Sequence, residues 1–337
     1  MSLSELSEKY LPSIEEELHT VVRISLKPGL EENYAMLAYH MGWDAENAPS
    51  SAMGKRIRPL IVLLVTEAGG ADYRAALPAA AAVELVHNFS LIHDDIQDQS
   101  PIRRGRDTVW KRWGVAQAIN AGDAMFALAH ISILRLNETT TPGVTLRASR
   151  LLQQTCLELT QGQYLDLAYQ TNNQLVLDAY WPMVKGKTAA LLSTCAALGA
   201  MVAQIPEQQL EEYRRFAGHI GLAFQVLDDI LGIWGDDSRM GKSSQSDLLS
   251  GKKTLPVLYG LAQKGEFAQR WMQGPVLLDE VSAMTSLLES EGGRDYAQKH
   301  ADELTLQALE ALRNANPVGL AGEALEELAS QLLSRTI

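Results

Sequence analysis

The sequence predicts an all-α protein, and three observations carry that prediction. Apolar residues recur at helical spacing along nearly the whole chain. Strand-like alternation is almost absent, and no βαβ rhythm appears, which argues against a doubly wound sheet. Several stretches are apolar nearly all round, such as ALPAAAAVELV (76–86) and TAALLSTCAALGAMVA (188–203); helices of that kind belong in the centre of a large bundle. Length alone would suggest about two domains. No linker-like segment is visible, so one all-helical domain over residues 1–337 is expected.

The elements follow in order from periodicity and punctuation. A first helix is expected at 4–22 and a second at 27–41, with Pro28-Gly29 at the break. Helix 56–70 stops at Gly69-Gly70, and helix 74–98 stops ahead of Pro101. Helix 115–136 closes before Pro142-Gly143, beyond which 145–170 runs to Asn172-Asn173. Helix 187–203 ends ahead of Pro206 and is followed by 207–232, 253–264 and 276–291. Gly292-Gly293 separates the last of these from 296–313, and 320–334 completes the set.

Bulk properties exclude several functions. The net charge is −12 and the pI about 5.1. A nucleic-acid binder needs a basic face, so that class is set aside, while a small anionic ligand in a local basic pocket is not. The two cysteines, Cys156 and Cys195, lie in apolar helical patterns and read as buried, inert thiols. The N-terminal stretch MSLSELSEKYLPSIEEELH is acidic and has no apolar signal core. No apolar run is expected to reach the roughly 18 residues of a membrane span. A cytoplasmic protein without a transmembrane segment is expected.

The chemistry lies in charge clusters. In LIHDDIQDQSPIRRGR (91–106), Asp94, Asp95 and Asp98 end an apolar helix, and arginines follow at once. Asp94 and Asp98 are i and i+4, share a face, and can hold one ion between them. Such crowded carboxylates stay ionised cheaply only where cations neutralise them, and an open all-oxygen site of few carboxylates suits Mg²⁺ completed by phosphate oxygens. An isolated DDxxD would read as a solvated helix end. A second pair, Asp228-Asp229 in GLAFQVLDDILGIWG, argues against that, because it too sits in an apolar helix. Basic residues complete the pattern: Lys55 and Arg58 in GKRIRP, Arg103-Arg104, Lys187 in VKGKT, and Lys242, Lys252 and Lys253 in GKSSQSDLLSGKKT. Together they carry enough positive charge for more than one diphosphate. GDDSRMGKS (235–243) is no P-loop: five residues, not four, separate its glycines, and no strand precedes it. His93-Asp94 lacks the further ligands of an HD phosphohydrolase.

These residues, in this order, resemble the all-trans isoprenyl diphosphate synthases, or polyprenyl synthetases. The match runs from GKRIRP through ELVHNFSLIHDDIQDQSPIRRG, GDAMFALA, TQGQYLDL, KGKTAALL and FQVLDDILGIWGD to GKKTLPVL, about Lys55 to Leu258. The resemblance implies a single helical bundle around a deep central cavity, commonly a homodimer. It implies Mg²⁺, with Mn²⁺ a possible substitute, on Asp94, Asp95 and Asp98 and on Asp228 and Asp229. It assigns Arg103, Lys187, Thr188, Gln225, Lys242 and Lys252 to an allylic diphosphate, and Lys55, Arg58, His87 and Arg104 to isopentenyl diphosphate. Asp94, Asp95, Asp98, Arg103, Lys187, Asp228 and Lys242 form the catalytic set so implied.

One departure stands out. The family's second motif reads DDxxD, whereas here it reads DDILG, with Gly232 at the third position and Asp236 and Asp237 as possible substitutes. Product length is read from Phe89 and Ser90, five and four residues before Asp94. An aromatic beside a small residue, with no insertion in DDIQD, resembles geranylgeranyl diphosphate synthases of the archaeal type, with farnesyl or longer-chain synthases as alternatives. Ser90 shares Asp94's stripe, whereas Phe89 lies about 140° round the helix at about 100° per residue. A class I terpene cyclase would need only one diphosphate pocket, and a silent partner subunit would lack the aspartates or the basic residues.

Overall fold

The computed structural model describes residues 2–43, 54–172, 174–235 and 246–333. It is all-helical, as predicted: a two-stranded hairpin is its sheet structure among the described residues. The described residues group into two compact units. The first comprises Met1–Gln154, Thr194–Leu210 and Pro317–Leu325; the second comprises Thr155–Ser193, Glu211–Asn316 and Glu326–Ile337.

The first unit opens on α1 (Leu3–Val22), started by a capping box in which the Ser2 hydroxyl accepts from the Glu5 amide and the Glu5 carboxylate accepts from the Ser2 amide. Leu6, Tyr10, Ile14 and Leu18 line its buried stripe. α2 (Glu31–Met41) ends at Gly42 in the left-handed conformation. α3 (Ile57–Ala68) and α4 (Leu77–Gln97) are buried on most sides, which accounts for the near-continuous apolar sequence of 76–86. The hairpin β1 (Ile102–Arg103) and β2 (Arg106–Asp107) follows, then α5 (Val109–Trp113) and α6 (Val115–Leu134). α6 packs along α4 closely enough that a Cβ on Gly122 would overlap the His93 ring, which explains the glycine of GDAMFALA.

The remaining helices are α7 (Pro142–Gln170), α8 (Tyr180–Val184), α9 (Ala190–Val202), α10 (Glu207–Trp234), α11 (Ser246–Leu249), α12 (Leu255–Gln263), α13 (Glu266–Trp271), α14 (Val281–Ser290), α15 (Gly293–Ala315) and α16 (Gly319–Leu333). Within the second unit, one core gathers Tyr180, Val184, Val226, Ile230, Leu255 and Leu258. Another gathers Ile233, Leu248, Phe267, Met284 and Leu288.

Most predicted helices are found within a few residues of their expected bounds. The exception is 187–203: the helix begins earlier, at Tyr180, and passes through a π-helical segment, Lys185–Ala189, before α9. By averaged hydropathy, 73–97 and α10 are long and apolar enough to cross a bilayer, but 67% of each most apolar window is buried in the protein. That is how core helices read. Both cysteines are free and buried, as expected, and burial pushes each thiol up to about 12.

Candidate active site

The first acidic motif ends α4. Asp98 is the C-cap, its amide donating to the Asp94 carbonyl at 2.8 Å, so Asp94 and Asp98 share one face across the last turn. Asp95 turns inward and is buried. Arg103 answers it: Nε donates to both Asp95 oxygens at 2.8 and 3.0 Å, and Nη2 stands 3.6 Å from Asp94.

The hairpin delivers that arginine. Arg104 and Gly105 both have positive φ, 52° and 75°, the pattern of a two-residue I′ turn. Such a turn pairs Arg103 with Arg106 and Ile102 with Asp107. The base of the hairpin is pinned by Thr108 Oγ1 and Trp110 Nε1, both donating to the Ser100 carbonyl. Arg106 stacks on Tyr39, 4.0 Å from the ring centre.

Arg104, next on the turn, lies against Gly54; a Cβ there would stand 2.7 Å from Nη2. Arg58 and His87 belong to the same group. His87 is held well below the usual histidine range by burial and then by Arg58, Arg104 and Arg103, so it is a neutral imidazole. Burial likewise lowers Arg58 and Arg104, with Glu84 pulling the other way. Arg58 Nε is buried with no hydrogen-bond partner among the described residues. A buried guanidinium N–H without an acceptor, beside a second arginine, is what a phosphate would satisfy. Lys55, at the entrance to α3, is exposed.

The second unit holds the other set. Gly186 backs onto α7 so closely that a Cβ would stand 2.9 Å from Gly162 Cα and 2.7 Å from the Glu158 carbonyl oxygen. This crossing of backbones coincides with the π-helical turn. From it Lys187 reaches Asp166 in an ion pair, and Thr188 donates to Gln225 Oε1 at 2.9 Å. Gln225 Nε2 donates to Asp229 Oδ1 at 3.0 Å; Tyr180 and the Leu255 amide donate to Oδ2 at 2.7 and 3.1 Å. Burial raises the Asp229 carboxyl to about 7 against the pull of those three donors. Asp228 is half-buried on the same helix. Lys252 pairs with Asp247 at 3.7 Å and is exposed. Lys242, Asp236 and Asp237 lie outside the described residues.

Asp95 and Asp229, both expected among the metal ligands, therefore spend their oxygens on protein donors. Three residues escaped the sequence reading. Asp166 sits in TQGQYLDL and binds Lys187; Tyr180 anchors Asp229. Asp247 fills the gap in DDILG, its carboxylate lying where a Gly232 side chain would begin, with Cγ 2.8 Å from where a Cβ would stand. Asp166 was visible as the one carboxylate of a motif, whereas the other two meet their partners only through tertiary contact.

The donor set also bears on metal binding. Among the described residues no three His, Cys, Asp or Glu side chains converge into a preformed cage. Asp94 with Asp98, and Asp228, offer oxygens in ones and twos, the donor set Mg²⁺ takes when waters and phosphate oxygens complete its octahedron. The chemistry fits a hard divalent ion shared with substrate.

Comparison with known proteins gives the class. Residues 46–281 match the polyprenyl synthetase family. Geranylgeranyl diphosphate synthase of Mycobacterium tuberculosis is 42% identical over 288 residues, covering 83% of this chain and 81% of that protein. The (2E,6E)-farnesyl diphosphate synthase of the same organism is 39% identical over 310 residues, covering 89% and 85%. The crystal structure of geranylgeranyl pyrophosphate synthetase from Pyrococcus horikoshii superposes with a TM-score of 0.90 at 32% identity, covering 99% and 98%. The chain belongs to the polyprenyl synthetase family and is a trans-prenyltransferase.

Proposed function

We propose that this enzyme condenses isopentenyl diphosphate with an allylic diphosphate, with geranylgeranyl diphosphate as the main product. The observation that carries the assignment is the Arg103-Arg104 turn. One arginine answers the aspartates and the next joins Arg58 and His87 beside Gly54, an arrangement that supports two diphosphate sites sharing one hairpin.

Asp94 and Asp98 would hold one divalent metal and Asp228 a further one, Mg²⁺ with Mn²⁺ as a substitute. Bound there, the ion supplies neutralisation for charge growing on a departing pyrophosphate. Arg103, Lys187, Thr188, Gln225, Lys242 and Lys252 bind the allylic diphosphate, Lys187 exchanging its Asp166 partner for phosphate oxygens. Asp95 holds Arg103 in line, and Asp229 holds Gln225. Lys55, Arg58 and Arg104 bind isopentenyl diphosphate, with neutral His87 as a hydrogen-bonding group. Fixed cations stabilise the leaving group without reorganising. Holding the isopentenyl double bond against the allylic carbon makes attack effectively unimolecular. The proton lost afterwards goes to the pyrophosphate, and no side-chain base is required.

The product rests on Phe89 beside Ser90, five and four residues before Asp94. A farnesyl product is the second reading, favoured by the relative of that name. A homodimer is also proposed. α6 carries exposed Val115, Ile119, Phe126, Ile131 and Leu134, an apolar surface of the kind that marks an interface. Sedimentation at micromolar concentration, with Ile119→Lys as the disrupting variant, tests it.

Asp94→Asn tests the metal assignment. The change removes one ligand charge at nearly constant shape, and kcat should fall about a hundredfold or more. Turnover within a few-fold of wild type at saturating Mg²⁺ would overturn it.

A further inference from the structure

Arg56 sits in GKRIRP between Lys55 and Arg58, and no role has been given to it so far. Its backbone is left-handed, φ 49° and ψ 33°, a conformation that is strained for a side chain larger than glycine. Its guanidinium is buried, with a side-chain exposure of 1%. All three of its nitrogens donate. Nε donates to Glu15 at 2.7 Å, Nη1 to Glu84 at 2.8 Å, and Nη2 to Glu15 and to the Met41 carbonyl at 3.4 Å each. Both carboxylates have further donors, Trp43 Nε1 on Glu15 and Asn88 Nδ2 on Glu84.

Stability alone gives a poor account of this arrangement. Burying an ion triad is often no better than a packed apolar core, and a left-handed arginine adds strain. Strained residues held by over-determined surroundings gather at functional sites. A contact between Arg56 and substrate is excluded, because each guanidinium nitrogen is already taken and none is open to solvent.

What the triad fixes is the turn into α3. With Arg56 drawn inward to α1 and α4, the chain passes from Gly54, on which Arg104 lies, to Ile57, where the helix begins. Lys55 and Arg58 flank the anchored residue and are left outside the triad.

We propose that Arg56, clamped by Glu15 and Glu84, is the positioning residue of the isopentenyl diphosphate pocket, setting where Lys55, Arg58 and Arg104 stand. The proposal rests on the assignment of those three residues to that substrate.

Steady-state kinetics with each substrate varied in turn tests both layers. Lys55→Ala and Arg58→Ala come first: if neither raises KM for isopentenyl diphosphate, the pocket assignment fails. Arg56→Met should raise that KM about tenfold or more, the size of a small misplacement, while KM for the allylic substrate stays within about twofold. Arg56→Lys keeps the charge but cannot fork to both glutamates, and should recover only part of the loss. Two results overturn the proposal while the pocket assignment stands: an unchanged KM for isopentenyl diphosphate in folded Arg56→Met, or equal rises for both substrates. Should Arg56→Met fail to fold, Glu84→Gln loosens the same clamp at constant shape and is read by the same two outcomes. Binding of isopentenyl diphosphate alone, followed by calorimetry, gives a second reading free of turnover.

Discussion

Phe89 carries the question of product length. Helix geometry sets it off the Asp94–Ser90 stripe, and in the structure its ring meets Phe126 of α6 edge-on at 5.1 Å and His93 at 5.9 Å. It is half-buried, so it both packs against a neighbour and presents surface. Ser90 is small and turned back, its hydroxyl donating to the His87 carbonyl at 2.7 Å. If Phe89 limits the growing tail, Phe89→Ala should lengthen the products and Ser90→Phe should shorten them. Chromatography of dephosphorylated products reads both changes. An unchanged distribution in a folded, active Phe89→Ala enzyme would move the limit elsewhere. At this scale the sequence was informative wherever a residue acts through its own chemistry. Asp94 and Arg58 were legible because charge and spacing name them, whereas His87 entered only through the family resemblance. Asp95 and Asp229 were legible as acids but not as anchors, because what an oxygen is bonded to depends on distant donors such as Tyr180.

At the scale of elements, long helices were legible because an apolar stripe repeats over many turns. Short pieces were not. The 102–107 hairpin has two residues a strand, too few for alternation to register, and its turn breaks the usual rule by putting an arginine at positive φ. Gly105 at φ 75° is the residue that lets the turn close. Gly105→Val should strain it by roughly 1–2 kcal/mol and displace Arg104. The expected result is a higher KM for isopentenyl diphosphate with the fold intact by circular dichroism. α11 was hidden for the same reason of length, and with it the answer to the DDILG gap. Since Asp247 occupies the space beside Gly232, restoring the family's third acid should not help. Gly232→Asp overpacks the site and sets two carboxylates against each other, costing about 1–3 kcal/mol of stability. The double variant Gly232→Asp with Asp247→Gly should recover most of it. Urea midpoints compare the two, and a single variant as stable as wild type would refute the exchange.

For the whole molecule, a net charge of −12 conceals a buried positive region, and that mismatch makes stability depend on pH. His40 is pushed down to about 3, first by burial and then by Arg104, Arg103, Arg56 and Arg106. His87 is lowered well below its ordinary value for the same reasons. In the unfolded chain both titrate near their usual value of about 6.5. Between that value and the folded one, the unfolded chain binds a proton that the fold does not. Each such histidine therefore stabilises fully above about pH 6.5, and its contribution is lost as pH falls. Asp229 works in the opposite sense. Its carboxyl is raised to about 7, so the fold binds the extra proton and stability declines as pH rises from about 4 towards 7. Groups elsewhere shift too: burial lowers His19 and His219 and raises Glu17, so the slope of the whole protein is a sum over all of them. One proton's difference is worth about 1.4 kcal/mol per pH unit. In the metal-free protein, His40→Gln should therefore lower the gain of stability with rising pH by about that much between pH 4.5 and 6, and Asp229→Asn should raise it by about as much. Urea denaturation between pH 4.5 and 7.5 measures all three proteins. A slope that His40→Gln leaves untouched would show that the arginine-ringed pocket does not hold its histidine neutral.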